Sequence, residues 1–174
     1  SGEEDLERVL DEVRRRDKKL VEEVRKRNED SLRRLERLAE EVERVNEDVL
    51  KKVEELRVSE EVLKEIEEEL RRNKEAIKRT LKRSKETLDK NERDIERTHE
   101  RTKKKLDEIR ELIKAGKDAS EVRKLVEEIV TDSRRRITEH IRRVEENAKD
   151  SERVIREHKE RVKEILEKVR RAAE

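Results

Sequence analysis

Three histidines, His99, His140 and His158, are the side chains best suited to bind a metal or move a proton in a chain that also holds 50 acids. Glu96-Arg97-Thr98-His99 has the Glu-x-x-His spacing used in di-iron bundles. No second copy of it exists, because Ile137 and Ile155 stand three residues before the other two histidines. His140 and His158 would lie roughly 27 Å apart on one helix, too far to share an ion. Cysteine is absent, the serines have no recognisable base and orienting partner, and no glycine-rich loop exists to hold a phosphate. No catalysis, metal, cofactor or small-molecule ligand is expected.

A different pattern unites two of the histidines with four asparagines. The stretch RNEDSL at 27–32 returns as VNEDVL at 45–50, and both copies place Asn where the surrounding rhythm asks for an apolar residue. Asn28 and Asn46 share a lane with Leu10, Asn91 and Asn73 with Ile109, and His140 and His158 with Val122. The repeat is about 18 residues, five turns at ~3.6 residues per turn.

The elements that carry these lanes are read from the apolar rhythm. Steps of three and four dominate throughout, the signature of amphipathic helices. Charged residues make up 58% of the 174, against 29% hydrophobic, yet there is no proline and glycine occurs only twice. A bias to Glu, Lys, Arg, Leu, Val and Ile on a helical period marks long helices rather than disorder. Two places punctuate it. Ser59 can cap a helix starting at Glu60, with Val58 and Leu63 as a hydrophobic staple. Gly116 suits the left-handed residue after a helix, and Asp118 with Glu121 reads as a capping box.

The expected fold is all-α: one elongated domain over 1–174, with helices at about 3–57, 60–115 and 119–174, each of about 55 residues. Such short connections make neighbours antiparallel, so the chain runs up, down, up as a three-helix bundle. An 18-residue lane keeps a seam straight, where a strict heptad would supercoil.

Folding the chain at its turns puts Asn28 level with Asn91 and Asn46 level with Asn73, and brings His140 and His158 within one turn of those heights. Two polar layers follow, Asn28/Asn91/His140 and Asn46/Asn73/His158, on the template of the apolar layer Leu10/Ile109/Val122. A secondary set obeys the same translation: Asp17, Thr102 and Ser133 at one height, Leu35, Ser84 and Ser151 a repeat further on. Asn147 and Ser31 add polar atoms near the Asn28 layer. His99 belongs to the height of Asp17, Thr102 and Ser133, although its lane runs along the edge of the stripe and alone reads as an exposed or boundary position. Any one of these residues alone reads as a semi-exposed polar position. The two matched triplets favour satisfied hydrogen-bond layers, because buried polar groups persist only when paired. Such layers set register and neighbour choice.

The charge excludes some partners. Lys plus Arg number 51, giving a formal charge of +1, so no electrostatic partner such as nucleic acid or an anionic membrane is expected. Runs such as Arg14-Arg15-Arg16, Lys103-Lys104-Lys105 and Arg134-Arg135-Arg136 are flanked by acids and lack aromatics for base stacking. No apolar stretch approaches a membrane span, no signal peptide is visible, and Ser1-Gly2 reads as a remnant of tag removal.

On its lanes, minimal capped loops, Glu/Lys/Arg surface and paired Asn–Asn–His triplets, the whole chain resembles de novo designed helical bundles with modular buried hydrogen-bond networks. Spectrin-like rods share the outline but carry core aromatics, and this chain has none. The resemblance implies no natural function, substrate or compartment, and recombinant expression as a soluble cytoplasmic protein. It implies a monomeric scaffold, with two alternatives: an oligomer or heterodimer subunit that completes a larger bundle, and a pH-responsive assembly built on buried histidines. Flanking apolar residues (Val21, Leu32, Ala39 and Leu50; Val130, Ile141, Ala148 and Leu166) either seal the first helix against the third or form a groove for a partner.

Overall fold

The computed structural model describes residues 2–173. Ser1 of the opening Ser-Gly pair and Glu174, the expected end of the last helix, lie outside the described residues. Three α-helices of 55 residues each, α1 (Gly2–Leu56), α2 (Glu60–Lys114) and α3 (Ala119–Ala173), build an all-α three-helix bundle with no strand among the described residues. Both turns end a helix with a left-handed residue, each in its own way. After α2, Gly116 (φ 81°) closes a Schellman motif: its N–H donates to Ile113 O at 3.1 Å and Lys117 N–H to Leu112 O at 3.1 Å. After α1 the same conformation falls on Arg57 (φ 49°), a residue with a Cβ that nothing in the sequence marks for this role.

Ser59 caps α2, its Oγ accepting from Val62 N–H at 3.3 Å, and Val58 and Leu63 both pack onto the adjacent core. The start of α3 differs from the sequence expectation. Asp118 accepts Val122 N–H at 3.1 Å through its backbone carbonyl, and Glu121 lies 3.7 Å from Lys117 Nζ instead of closing a capping box.

Packing groups the chain into two compact units. The first comprises Ser1–Glu29 and Leu88–Glu145, the second Asp30–Thr87 and Glu146–Glu174. Within the first unit the core forms two separate clusters. One gathers Leu6, Leu10, Leu106, Ile109, Ile113, Val122, Val126 and Ile129, so it contains the apolar layer Leu10/Ile109/Val122. The other is smaller: Val21, Val24, Ile95 and Ile137. Asp17, Thr102 and Ser133, all buried, occupy the lanes between these clusters and break the apolar continuity.

The second unit has one unbroken cluster that includes Leu35, Leu38, Val42, Val49, Val53, Ile66, Leu70, Ile155 and Val162. Within each unit cross-helix ion pairs line the surface. Arg110 meets Asp11 at 2.6 Å in the first, and Arg34 meets Glu152 at 2.9 Å in the second. With at least one partner of each pair open to solvent, each contributes about 0–1 kcal/mol, so the apolar stripe and not the charge holds each unit together.

Candidate functional site: buried polar layers

In the first unit Asn28, Asn91 and His140 are all buried and meet in one connected layer. Asn91 is the hub. Its Nδ2 donates to Asn28 Oδ1 and to the His140 carbonyl, each at 3.3 Å, and its Oδ1 lies 2.7 Å from His140 Nδ1. Asn28 in turn donates through Nδ2 to Leu88 O at 3.3 Å. An amide oxygen only accepts, so His140 must carry its proton on Nδ1. A single side chain on α2 thereby bonds both α1 and α3, which a layer of leucines cannot do with comparable directionality.

The same unit holds a second polar group. Asp17 is 3% exposed, and its Oδ2 lies 2.5 Å from His99 Nδ1 while its Oδ1 accepts from the Ser133 hydroxyl. His99 sits on the edge lane, yet its ring reaches inward and its side chain is 14% exposed. Thr102 is buried at this level but does not join: its hydroxyl bonds the Thr98 carbonyl of its own helix at 3.1 Å. A threonine within a helix has that i−4 carbonyl always in reach, so the local bond competes with a cross-helix one. The connected order is Ser–Asp–His. Proton abstraction from a serine requires the serine on the imidazole, so this geometry orients side chains without activating a nucleophile. Glu96 pairs with Arg25 and His99 with Asp17, which separates the two members of the Glu-x-x-His spacing. No group of three or more His, Cys, Asp or Glu forms a candidate metal-ligand set among the described residues.

In the second unit the Asn46/Asn73/His158 layer is less complete. His158 Nδ1 lies 3.0 Å from Asn73 Oδ1, the counterpart of the His140–Asn91 bond. Asn46 is buried, but its Oδ1 has no hydrogen-bond partner. Lane periodicity sets the height of a residue but not the rotamer that would complete a bond. Ser84 bonds the Ser151 hydroxyl and approaches Asn147 Oδ1 at 3.5 Å, so Asn147 belongs to this serine pair. Asn147 Nδ2 and Ser31 Oγ are buried without partners. Three orphaned polar atoms in this unit weaken it, since each costs about 1–3 kcal/mol. Asn46→Leu is therefore expected to raise stability by about 1 kcal/mol in chemical denaturation, opposite in sign to Asn28→Leu. A loss from Asn46→Leu would mean that Asn46 is bonded in solution.

Burial holds both layer histidines below the ordinary imidazole value, with nearby arginines adding to it. For His140 the main neighbour is Arg143, with Arg136 acting the same way and Asp94 and Glu139 opposing. For His158 it is Arg161, with Arg79 in the same direction and Glu157 opposing. Both rings are thus suited to the neutral state that an imidazole donating to an amide oxygen requires.

No protein-family model, no curated protein and no solved structure matches the chain.

Proposed function

We propose that the chain is a de novo designed helical-bundle scaffold whose role is structural: its core carries cross-helix hydrogen-bond layers that set which helices pack together and at what register. The observation that carries this reading is Asn91, one buried side chain bonded to groups on both neighbouring helices. A buried amide gives up stability relative to leucine, and the best attested return is specificity of partner and register. A monomer is the favoured state. Among the described residues only Val9, 42% exposed, and Val62, 36% exposed, are large apolar side chains open to solvent. Apart from Val21, which is buried, the flanking residues considered for a partner groove are half-buried, so little apolar surface remains for an additional helix. No helix is long and apolar enough to cross a membrane among the described residues.

Light scattering after size exclusion tests the reading. The chain is expected at its own mass of 21.1 kDa. A variant with Asn28→Leu, Asn91→Leu and His140→Val is expected to give a mixture of masses as register control is lost. A discrete dimer of the original chain would instead favour the subunit of a larger assembly.

The depressed histidines favour a second reading, a pH-responsive bundle. With its proton affinity lowered, each ring binds fewer protons folded than unfolded. Its contribution is complete above pH ~6.5 and is lost as pH falls through and below that value. The slope is at most about 1.4 kcal/mol per pH unit per ring, and less for half-buried His158 because solvent screens it. Denaturant midpoints measured from pH 7 to 5.5, above most carboxylate titrations, are expected to fall. In the double variant His140→Asn, His158→Asn the fall should be smaller than in the parent; an unchanged slope there would remove the switch.

A further inference from the structure

The polar break between the two clusters of the first unit leaves space beside it. A cavity of about 470 Å³ opens between α1 and α3, with Asp17 and Ser133 in its wall and Val13, Leu20 and Val130 as its apolar lining. That volume is within the ~300–1,000 Å³ typical of small-molecule sites. Asp17 is shorter than Leu35 on its own lane and Ser133 is shorter than Val169 on its own, which accounts for the gap.

The charges at the mouth differ in how they are satisfied. Arg16 is held by Glu12 at 2.9 Å, and Glu23 by Arg27 at 3.2 Å. Lys19 and the Arg134 guanidinium also line the opening, and neither has an ion pair or side-chain hydrogen bond among the described residues. An apolar pocket with two uncommitted cations at its lip and a buried carboxylate in its wall has a polarity of its own. The lip attracts an anion, and Asp17 repels one from the depth, so a ligand with one anionic end is held head outward.

We propose that this cavity is a binding site for a single-chain aliphatic carboxylate. The tail packs on Val13, Leu20 and Val130, and the carboxylate lies between Lys19 and Arg134. Arg134 supplies a planar fork for two oxygens and Lys19 a mobile point charge. The site is independent of the scaffold reading and departs from the sequence expectation of no small-molecule ligand.

Titration of the full chain, labelled at valine and leucine methyl groups, with octanoate, octanol and octylamine tests this by NMR. The three probes share a tail and differ only in the charge of the head. Octanoate is expected to shift the methyls of Val13, Leu20 and Val130 saturably, with octanol at least about fivefold weaker and octylamine weaker again. Both cations are exposed, so Lys19→Glu with Arg134→Glu should fold normally by circular dichroism and reverse the order in favour of octylamine. Val130→Phe, which fills the cavity, should weaken all three probes. Equal affinity of the folded parent for octanoate and octanol would overturn the role of the lip. Absent or non-saturating shifts at the three lining residues would overturn the site itself.

Discussion

Asn91→Leu is expected to cost about 2–4 kcal/mol, more than any other single change in its layer. Two buried groups lose their partner at once: the His140 Nδ1–H that donates to Asn91 Oδ1, and the Asn28 Oδ1 that accepts from Asn91 Nδ2. His140 and Asn28 are buried, so water does not replace what is lost. Asn28→Leu is milder, about 1–2 kcal/mol, because Asn91 Nδ2 keeps its second bond to the His140 carbonyl. The triple change Asn28→Leu, Asn91→Leu, His140→Val gives an all-apolar layer like Leu10/Ile109/Val122, with Leu in place of Ile on α2, and should be at least as stable as the parent. Urea titrations of the single and triple variants measure this directly. Singles that lose little, or a triple that loses as much as the singles combined, would show that the three side chains do not depend on one another.

His99→Leu is expected to lose about 3–5 kcal/mol, the range for breaking a buried polar pair that contains a charge. It leaves the Asp17 carboxylate, 3% exposed, with the Ser133 hydroxyl as its remaining donor. Removing the whole group reverses the sign. With Asp17→Leu, His99→Leu and Ser133→Ala no polar side chain is stranded, because Thr102 already bonds within its own helix. The two apolar clusters of this unit then join, and the variant should match or exceed the parent in urea. If His99→Leu alone were neutral, Asp17 would have to draw its donors from solvent, and the described burial would be wrong.

What the sequence made legible depends on how far backbone position decides each feature. Helix length and number follow from the unbroken three-four rhythm and from Gly116 and Ser59, whose chemistry is local. Asn28, Asn91 and His140 share a height because the lane repeat and the fold-back at short turns are properties of the backbone. Hydrogen bonds need more than height. Asn46 has the lane of Asn28, yet its Oδ1 finds no donor. Thr102 stands at the level of Asp17 and bonds its own helix instead. His99 lies on an edge lane, and only the reach and rotamer of its ring bring it to Asp17. The cavity beside Asp17 is a volume left by short side chains on two different helices, and no spacing within one helix reports it. The left-handed Arg57 had no signal, since the sequence marks such positions through Gly or Asn.

The asparagine layers rest on imidazoles that donate to asparagine oxygens across helix boundaries. Long-range proton–nitrogen NMR spectra of the imidazoles at neutral pH read this most directly. The account predicts His140 and His158 as neutral rings protonated at Nδ1, with the His140 proton slow to exchange because the ring is buried. Rings protonated at Nε2, or a His140 proton exchanging as freely as in an unfolded chain, would contradict it.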